Sequence, residues 1–303
     1  MSASRRGQQM IKAVFTDADG TLLNDSHKVL PGTLKAIKAL SERGIPFVVM
    51  SGRAPEGIYM IADEFGFGCC AAAFSGGLLL DEERKPFYSR TFSQKTAQDI
   101  MDFIKDRGLD CLCGIFSYDR LIVEDASLPA VKTECSIIKK VPEEGGLELL
   151  PKDQGVHKIL GLCGEGKLDD IQAQVTAAFP DLCITRSTDT YLEVMPGGVN
   201  KGDAARQFCE RFGIDPMDTA AFGDHYNDLP MLQAVGHPFL MGNAPESLKR
   251  KLGVGDEGGA SRATDLQLRA SAAIPEGFLA PVTLTADCGS DGIAKALEGL
   301  GIL

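Results

Sequence analysis

The chain has 303 residues, 44% hydrophobic and 24% charged, which fits a soluble globular protein long enough for two domains and excludes a disordered one. A formal net charge of −11 and a pI near 4.9 leave no broad basic footprint, so neither nucleic acid nor an anionic membrane is an expected partner. No apolar run approaches the roughly 20 residues that cross a bilayer, and residues 1–9 are polar and basic, so the expected compartment is the cytoplasm.

Nine cysteines are an odd number, scattered without a C-x-x-C pair, so the pattern predicts neither a disulfide framework nor a zinc knuckle. Residues 11–15 read as a first strand, and the apolar run ends on Asp17-Ala18-Asp19-Gly20-Thr21. A buried strand whose tip delivers two acids into a turn is how open α/β sheets present groups to a ligand. An acidic turn chosen for backbone reasons alone is the plainer alternative. A helix over 31–43, with Leu34, Ile37 and Leu40 on one face, leads to a strand over 45–50 that ends in Ser51-Gly52-Arg53. Strand, helix, strand in that compass predicts a right-handed parallel βαβ unit. A helix over 55–65 and a strand over 71–74 continue the pattern, closing on Ser75-Gly76-Gly77.

From about 78 to 194 the spacing changes to short strands (78–80, 121–123, 157–163, 183–186 and 191–194) alternating with helices near 93–107 and 167–179. This reads as a separate α+β unit inserted into the first domain. The parallel pattern resumes with a helix over 201–212, a strand over 219–222 ending in Gly223-Asp224-His225-Tyr226-Asn227-Asp228, a short helix over 229–235 and a strand near 238–241. Residues 253–281 read as an excursion or lid-like loop with one helix over 266–273, before a last helix over 293–300. The expected fold is a Rossmann-like, doubly wound parallel α/β core over 1–80 and 196–303, with an α+β cap domain over 81–195.

All strand C-termini of a parallel sheet share one edge, so Asp17, Asp19, Ser51, Asp224, Asn227, Asp228 and the helix-start Lys201 are expected to converge. Carboxylates gathered so closely call for a hard cation, and Mg²⁺ takes carboxylates, water and phosphate oxygens. A lysine in the first turn of a helix opposes the helix dipole and points to an anion nearby. Together these describe a phosphoryl site. Asp17 is the better-placed nucleophile, and Asp19 could protonate the leaving alkoxide and then deprotonate water. Lys201, Ser51 and the metal would neutralise the equatorial oxygens.

These residues also resemble a known family. D-A-D-G-T-L-L from Asp17, M-S-G-R from Met50, N-K-G from Asn200, G-D-H-Y-N-D-L-P-M-L from Gly223 and G-N-A-P-E from Gly242 appear in the order found in Cof-type phosphatases of the haloacid dehalogenase superfamily. The resemblance implies a Mg²⁺-dependent hydrolase of small phosphomonoesters, commonly sugar phosphates, working through an aspartyl phosphate. It implies metal ligation by Asp17, the Asp19 carbonyl and Asp224, with Asp228 as an outer carboxylate. Ser51, Gly52, Lys201 and Asn227 would surround the phosphate. The stretch 256–281 departs from the family pattern.

Arg53 has two readings, phosphate contact or a salt bridge to a neighbouring acid. Asn243 is expected to cap a turn, and His225 and Tyr226 to face either the cap or solvent. In the cap, Tyr118, Arg120, Glu124, His157, Arg186, Tyr191 and Glu193 are candidates for substrate contact. The partner expected is a small phosphorylated metabolite, and the assembly a monomer or weak homodimer. Two alternatives share the residues: a sugar phosphomutase on the same scaffold, and a non-hydrolytic receiver-type phosphoryl acceptor. Asp19 and a large cap argue against the receiver, which needs neither leaving-group acid nor lid.

Overall fold

Residues Ala13–Asp17 are buried without exception, and a strand buried on both faces belongs inside a sheet flanked by helices. The computed structural model, which describes residues 10–255 and 268–303, has this arrangement. After β1 (Ala13–Asp17) come α1 (Pro31–Glu42), β2 (Phe47–Met50), α2 (Pro55–Phe65) and β3 (Cys70–Ala73), then two strands that turn back, β4 (Leu78–Leu80) and β5 (Pro86–Ser89). The next stretch supplies α3 (Gln94–Asp106), β6 (Cys111–Ser117), β7 (Arg120–Val123), α4 (Pro129–Ile137), β8 (Glu143–Glu144), β9 (Lys158–Cys163), α5 (Leu168–Ala178), β10 (Cys183–Arg186) and β11 (Tyr191–Met195). The chain returns through α6 (Lys201–Phe212), β12 (Thr219–Gly223), α7 (Leu229–Gln233), β13 (His237–Leu240), α8 (Glu246–Lys251), β14 (Arg269–Ala270), β15 (Thr283–Leu284) and α9 (Gly292–Gly299).

The first sheet has the order β14-β15-β13-β12-β1-β2-β3-β4-β5. Its inner strands, from β15 to β3, pair in parallel, and β14, β4 and β5 add antiparallel edges. Winding runs outward from β1 through β2 and β3, then returns to the other side of β1 at β12. The switch point therefore lies between β1 and β12, where such sheets open a crevice at their strand C-termini. Helices cover both faces. Ile37, Leu40, Ile58 and Leu297 pack against Val14, Val49 and Phe222, while Phe208, Met231 and Leu248 pack against Phe15, Met50 and Leu240. Pro at the start of α1 and α2 gives up only an amide without a helical partner.

The second sheet, β10-β11-β9-β6-β7-β8, is antiparallel except for the β7–β8 pair. Ile100, Ile104, Ile171 and Val175 of α3 and α5 cover one face. Val131 of α4 lies with Leu121, Val123 and Leu160 of the other face. Leu78–Leu80 pairs with β3 and Pro86–Ser89 with β4, so both strands belong to the first sheet although the short-strand pattern starts at about 78.

The helix expected over 266–273 is not found. Residues 266–267 lie outside the described residues, and Arg269–Ala270 pairs antiparallel with Thr283–Leu284 at the sheet edge. Ser271 settles the local choice, since its amide donates to the Val282 carbonyl and its Oγ accepts the Val282 N–H. The excursion's remaining part, 256–267, lies outside the described residues. Among the described residues no helix is long and apolar enough to cross a membrane. All nine cysteines are free.

Candidate active site

Parallel pairing of β1 with β12 and β2 sets Thr16 beside Phe222 and Asp17 beside Met50. Asp17 therefore closes β1, Ser51 follows one residue beyond the neighbouring strand, and Asp224 follows β12. Lys201 reaches the same point from the first turn of α6. Its helix is capped by Asn200, whose side chain accepts the Asp203 N–H, so Lys201 is aimed inward and left 2% exposed.

The Lys201 Nζ donates to Asp17 Oδ1 at 2.5 Å and to Asp228 Oδ1 at 2.6 Å. Asp228 Oδ2 accepts the backbone N–H groups of Asp224 and His225 at 2.9 and 3.0 Å. Both Asp228 oxygens are thus engaged, one by the lysine and one by the turn that presents Asp224. The Thr21 hydroxyl donates to Asp224 Oδ1 at 2.7 Å. Gly20 has φ +79°, and a Cβ there would stand 2.6 Å from Asp224 Oδ2, so the two acid-bearing turns meet only because this residue has no side chain. Asn243 locks the contact from a third loop, donating to the Gly20 carbonyl at 2.8 Å and accepting the Cys288 N–H.

Carboxylate oxygens of Asp17, Asp224 and Asp228 all lie within 4.8 Å of one another. Burial pushes Asp17 and Asp224 above the ordinary carboxylate range, with Lys201 opposing it at Asp17. Burial alone would lower the Lys201 pKa, but the Asp17 and Asp228 carboxylates outweigh it and hold it above an ordinary lysine. Three carboxylates beside one ammonium leave an excess of negative charge on hard oxygen donors. Such a set fits a hard divalent cation.

The loop after β2 is held as firmly. Ser51 is buried, its amide donates to Ala72 O, and Phe74 and Ser75 donate back to Arg53 O and Ser51 O. Phe74 and Ser75 sit at φ +51° and +57°, a left-handed turn that non-glycine residues rarely take and that closes this loop. Arg53 makes the salt bridge of its two readings, its guanidinium gripping both oxygens of Asp19 at 2.7 and 3.2 Å. Asp19 is exposed, at the rim of the buried cluster. Asn227 is exposed in the turn before Asp228, and Tyr226 bonds Ser247 through its hydroxyl.

Most of the other candidates, from the stretch between the two halves of the first sheet, have local partners. Arg120 holds Glu143 and Leu149 O, and Arg186 holds Asp169. His157 is fully buried between Tyr118 and Ser89, stacked on Phe74. Glu193 differs, because it pairs with Lys158, whose ammonium also reaches the Gly52 carbonyl. Lys158 and Thr21 escape the sequence reading. A charged residue inside the apolar run 157–163 is the only local sign of Lys158, and Thr21 reads as part of an acidic turn.

The family model of haloacid dehalogenase-like hydrolases matches residues 14–253. A Haemophilus influenzae protein named provisionally as a phosphatase is 34% identical over 249 residues, covering 81% of this chain and 92% of its own. An HMP-PP phosphatase of Klebsiella pneumoniae is 28% identical over 251 residues, covering 80% and 88%. Among solved structures, the subclass IIB sugar phosphatase BT4131 superposes with TM-score 0.71 at 20% identity, covering 96% of this chain and all of that one (100%).

Proposed function

Since this chain belongs to the haloacid dehalogenase-like hydrolases and is a phosphatase of that family, we propose that it hydrolyses small phosphomonoesters, sugar phosphates foremost, with Mg²⁺ and through a phosphorylated Asp17. The observation that carries this reading is the close set of buried Asp17 and Asp228 with half-buried Asp224 against Lys201. Asp17, the Asp19 carbonyl and Asp224 would hold the cation, with Asp228 one step out, fixing Lys201 and the Asp224 turn. Bound there, Mg²⁺ would screen the negative charge between phosphate and carboxylates.

Lys201 holds Asp17 Oδ1, leaving Oδ2 for phosphorus. An Asp17 O–P bond forms as the ester P–O bond breaks, and the departing alkoxide takes a proton from Asp19. Asp19 then takes a proton from water, whose oxygen bonds phosphorus as the Asp17 O–P bond breaks, releasing inorganic phosphate. Asp19 is free for this once Arg53 lets go of it. Ser51, Gly52, Lys201 and Asn227 are the groups assigned to the phosphate. The named activities of the relatives, on HMP-PP and on sugar phosphates, support a small phosphorylated metabolite. The inserted stretch, expected over 81–195, is assigned the part of a cap over this site, with its first strand β5 paired into the sheet of the core expected over 1–80 and 196–303.

Steady phosphate release from a chromogenic phosphomonoester with Mg²⁺, abolished in Asp17→Asn, is the expected result. A stable phosphoprotein without turnover would replace this reading by a phosphoryl acceptor. Transfer between positions of a sugar phosphate with little free phosphate would replace it by a mutase. A panel of sugar phosphates, nucleotides and cofactor phosphates then identifies the substrate.

A further inference from the structure

Lys158 and Glu193 take no part in the steps above, yet they are 5% and 8% exposed. Glu193 stands opposite Leu160 across β11 and β9, so Lys158, Leu160 and Glu193 project from one face of the second sheet. The Lys158 ammonium donates to Glu193 Oε1 at 2.9 Å and, across to the first sheet, to the Gly52 carbonyl at 3.0 Å. It rests 5.1 Å from the Phe116 ring centroid and 5.8 Å from that of Phe74. The second Glu193 oxygen closes on Gly52 as well, within 3.4 Å of where a Cβ would stand.

Gly52 C=O and Arg53 N–H are two ends of one planar peptide, so a donor that fixes the carbonyl fixes the amide. That amide donates to Ser51 Oγ at 3.2 Å. With an Oγ lone pair so engaged, the Ser51 O–H is still free to donate, and Asp17 of the acid cluster closes the adjoining strand. The side chain of the same Arg53 grips Asp19.

We propose that Lys158, held by Glu193, is a positioning residue: by fixing the Gly52–Arg53 peptide it sets Ser51 Oγ and Arg53, so the phosphate loop is in order only while the second sheet is seated on it. This rests on the reading of Ser51-Gly52-Arg53 as the phosphate loop. The seated sheet thereby acts on the transition state and not merely on substrate affinity.

Removing Lys158 alone strands a buried carboxylate, whereas Lys158→Met with Glu193→Leu removes both charges and keeps an apolar interior. In that double variant kcat falls about 10- to 100-fold with KM within about threefold. Ser51→Ala lowers kcat in the otherwise native protein but hardly at all in the double-variant background, because the hydroxyl is already misplaced. Equal effects of Ser51→Ala in both backgrounds, or native kcat in the double variant, overturn the proposal. Amide hydrogen exchange gives a readout that needs no turnover. Exchange at Arg53 speeds up in the double variant while Val48 and Val49 are unchanged, and unchanged exchange at Arg53 overturns the proposal. A native protein that hydrolyses no ester defeats the phosphatase mechanism instead, and leaves the exchange result to decide this one.

Discussion

The Lys201 ammonium lies 2.5 Å from Asp17 Oδ1, and the same ammonium is 2.6 Å from Asp228 Oδ1. Lys201→Met therefore leaves two buried carboxylates facing one another without their counter-charge. Breaking a buried ion pair from one side costs about 3–5 kcal/mol, and urea unfolding of the metal-free variant is expected to show a loss of that size. Adding Mg²⁺ narrows the gap to the native protein, since a cation among the same oxygens restores part of the neutralisation. A gap that Mg²⁺ leaves untouched argues against metal binding by these acids. Phosphate release is expected to drop by about a hundredfold or more, the usual effect of removing a preorganised donor from developing charge.

Asp19 and Asp17 are separable by leaving group. A phenolate that departs without a proton needs no acid, so Asp19→Asn still transfers phosphoryl from a dinitrophenyl ester to Asp17. The second half-reaction needs a base to activate water, and it stalls. The expected signature is one burst of phenol per protein with a phosphoryl adduct visible by intact mass. Asp17→Asn gives neither burst nor adduct. Steady turnover of the activated ester by Asp19→Asn would remove the proton-carrier role.

Asp17, Asp224 and Lys201 are legible in the sequence because each is costly without a use: a carboxylate closing an apolar strand, or a cation at the positive end of a helix. The parallel pattern supplies the rest, since it predicts that strand tips far apart in sequence meet on one edge. Lys158 has only its place in the apolar run 157–163 to mark it, and its partner Gly52 lies 106 positions away. The nine residues of α4 form too few turns for a helical period to stand out. Arg269–Ala270 is a strand only because Thr283–Leu284 is there to pair with it, a tertiary decision that no window over 266–273 contains.

Gly20 tests the approach of the two acid-bearing turns. Gly20→Ala puts a Cβ 2.6 Å from Asp224 Oδ2 at a φ of +79°, and a left-handed alanine costs about 1–2 kcal/mol before any clash. Asp224 yields more readily than backbone, being a side chain, so the damage falls on the metal site. The Mg²⁺ concentration for half-maximal activity is expected to rise by about tenfold or more, with a smaller loss at saturating Mg²⁺. A purely structural lesion would lower activity equally at every Mg²⁺ concentration.

His157 makes stability pH-dependent near the junction of the two sheets. Its ring is fully buried, Nδ1 accepts the Tyr118 N–H at 3.1 Å, and Nε2 lies 3.0 Å from Ser89 Oγ. The neutral ring with its proton on Nε2 satisfies both contacts, while protonating Nδ1 would set donor against donor. Burial lowers its pKa from 6.5 to about 4. Between those values the unfolded chain binds a proton that the folded protein refuses, so stability falls as pH drops from 6.5 towards 4 and is indifferent to this group above 6.5. The full difference is about 3 kcal/mol. Urea midpoints measured from pH 4.5 to 7 are therefore expected to climb more steeply for the native protein than for His157→Gln, whose amide oxygen can still accept from Tyr118 but does not titrate. Parallel curves for the two proteins would show that His157 is not the group responsible.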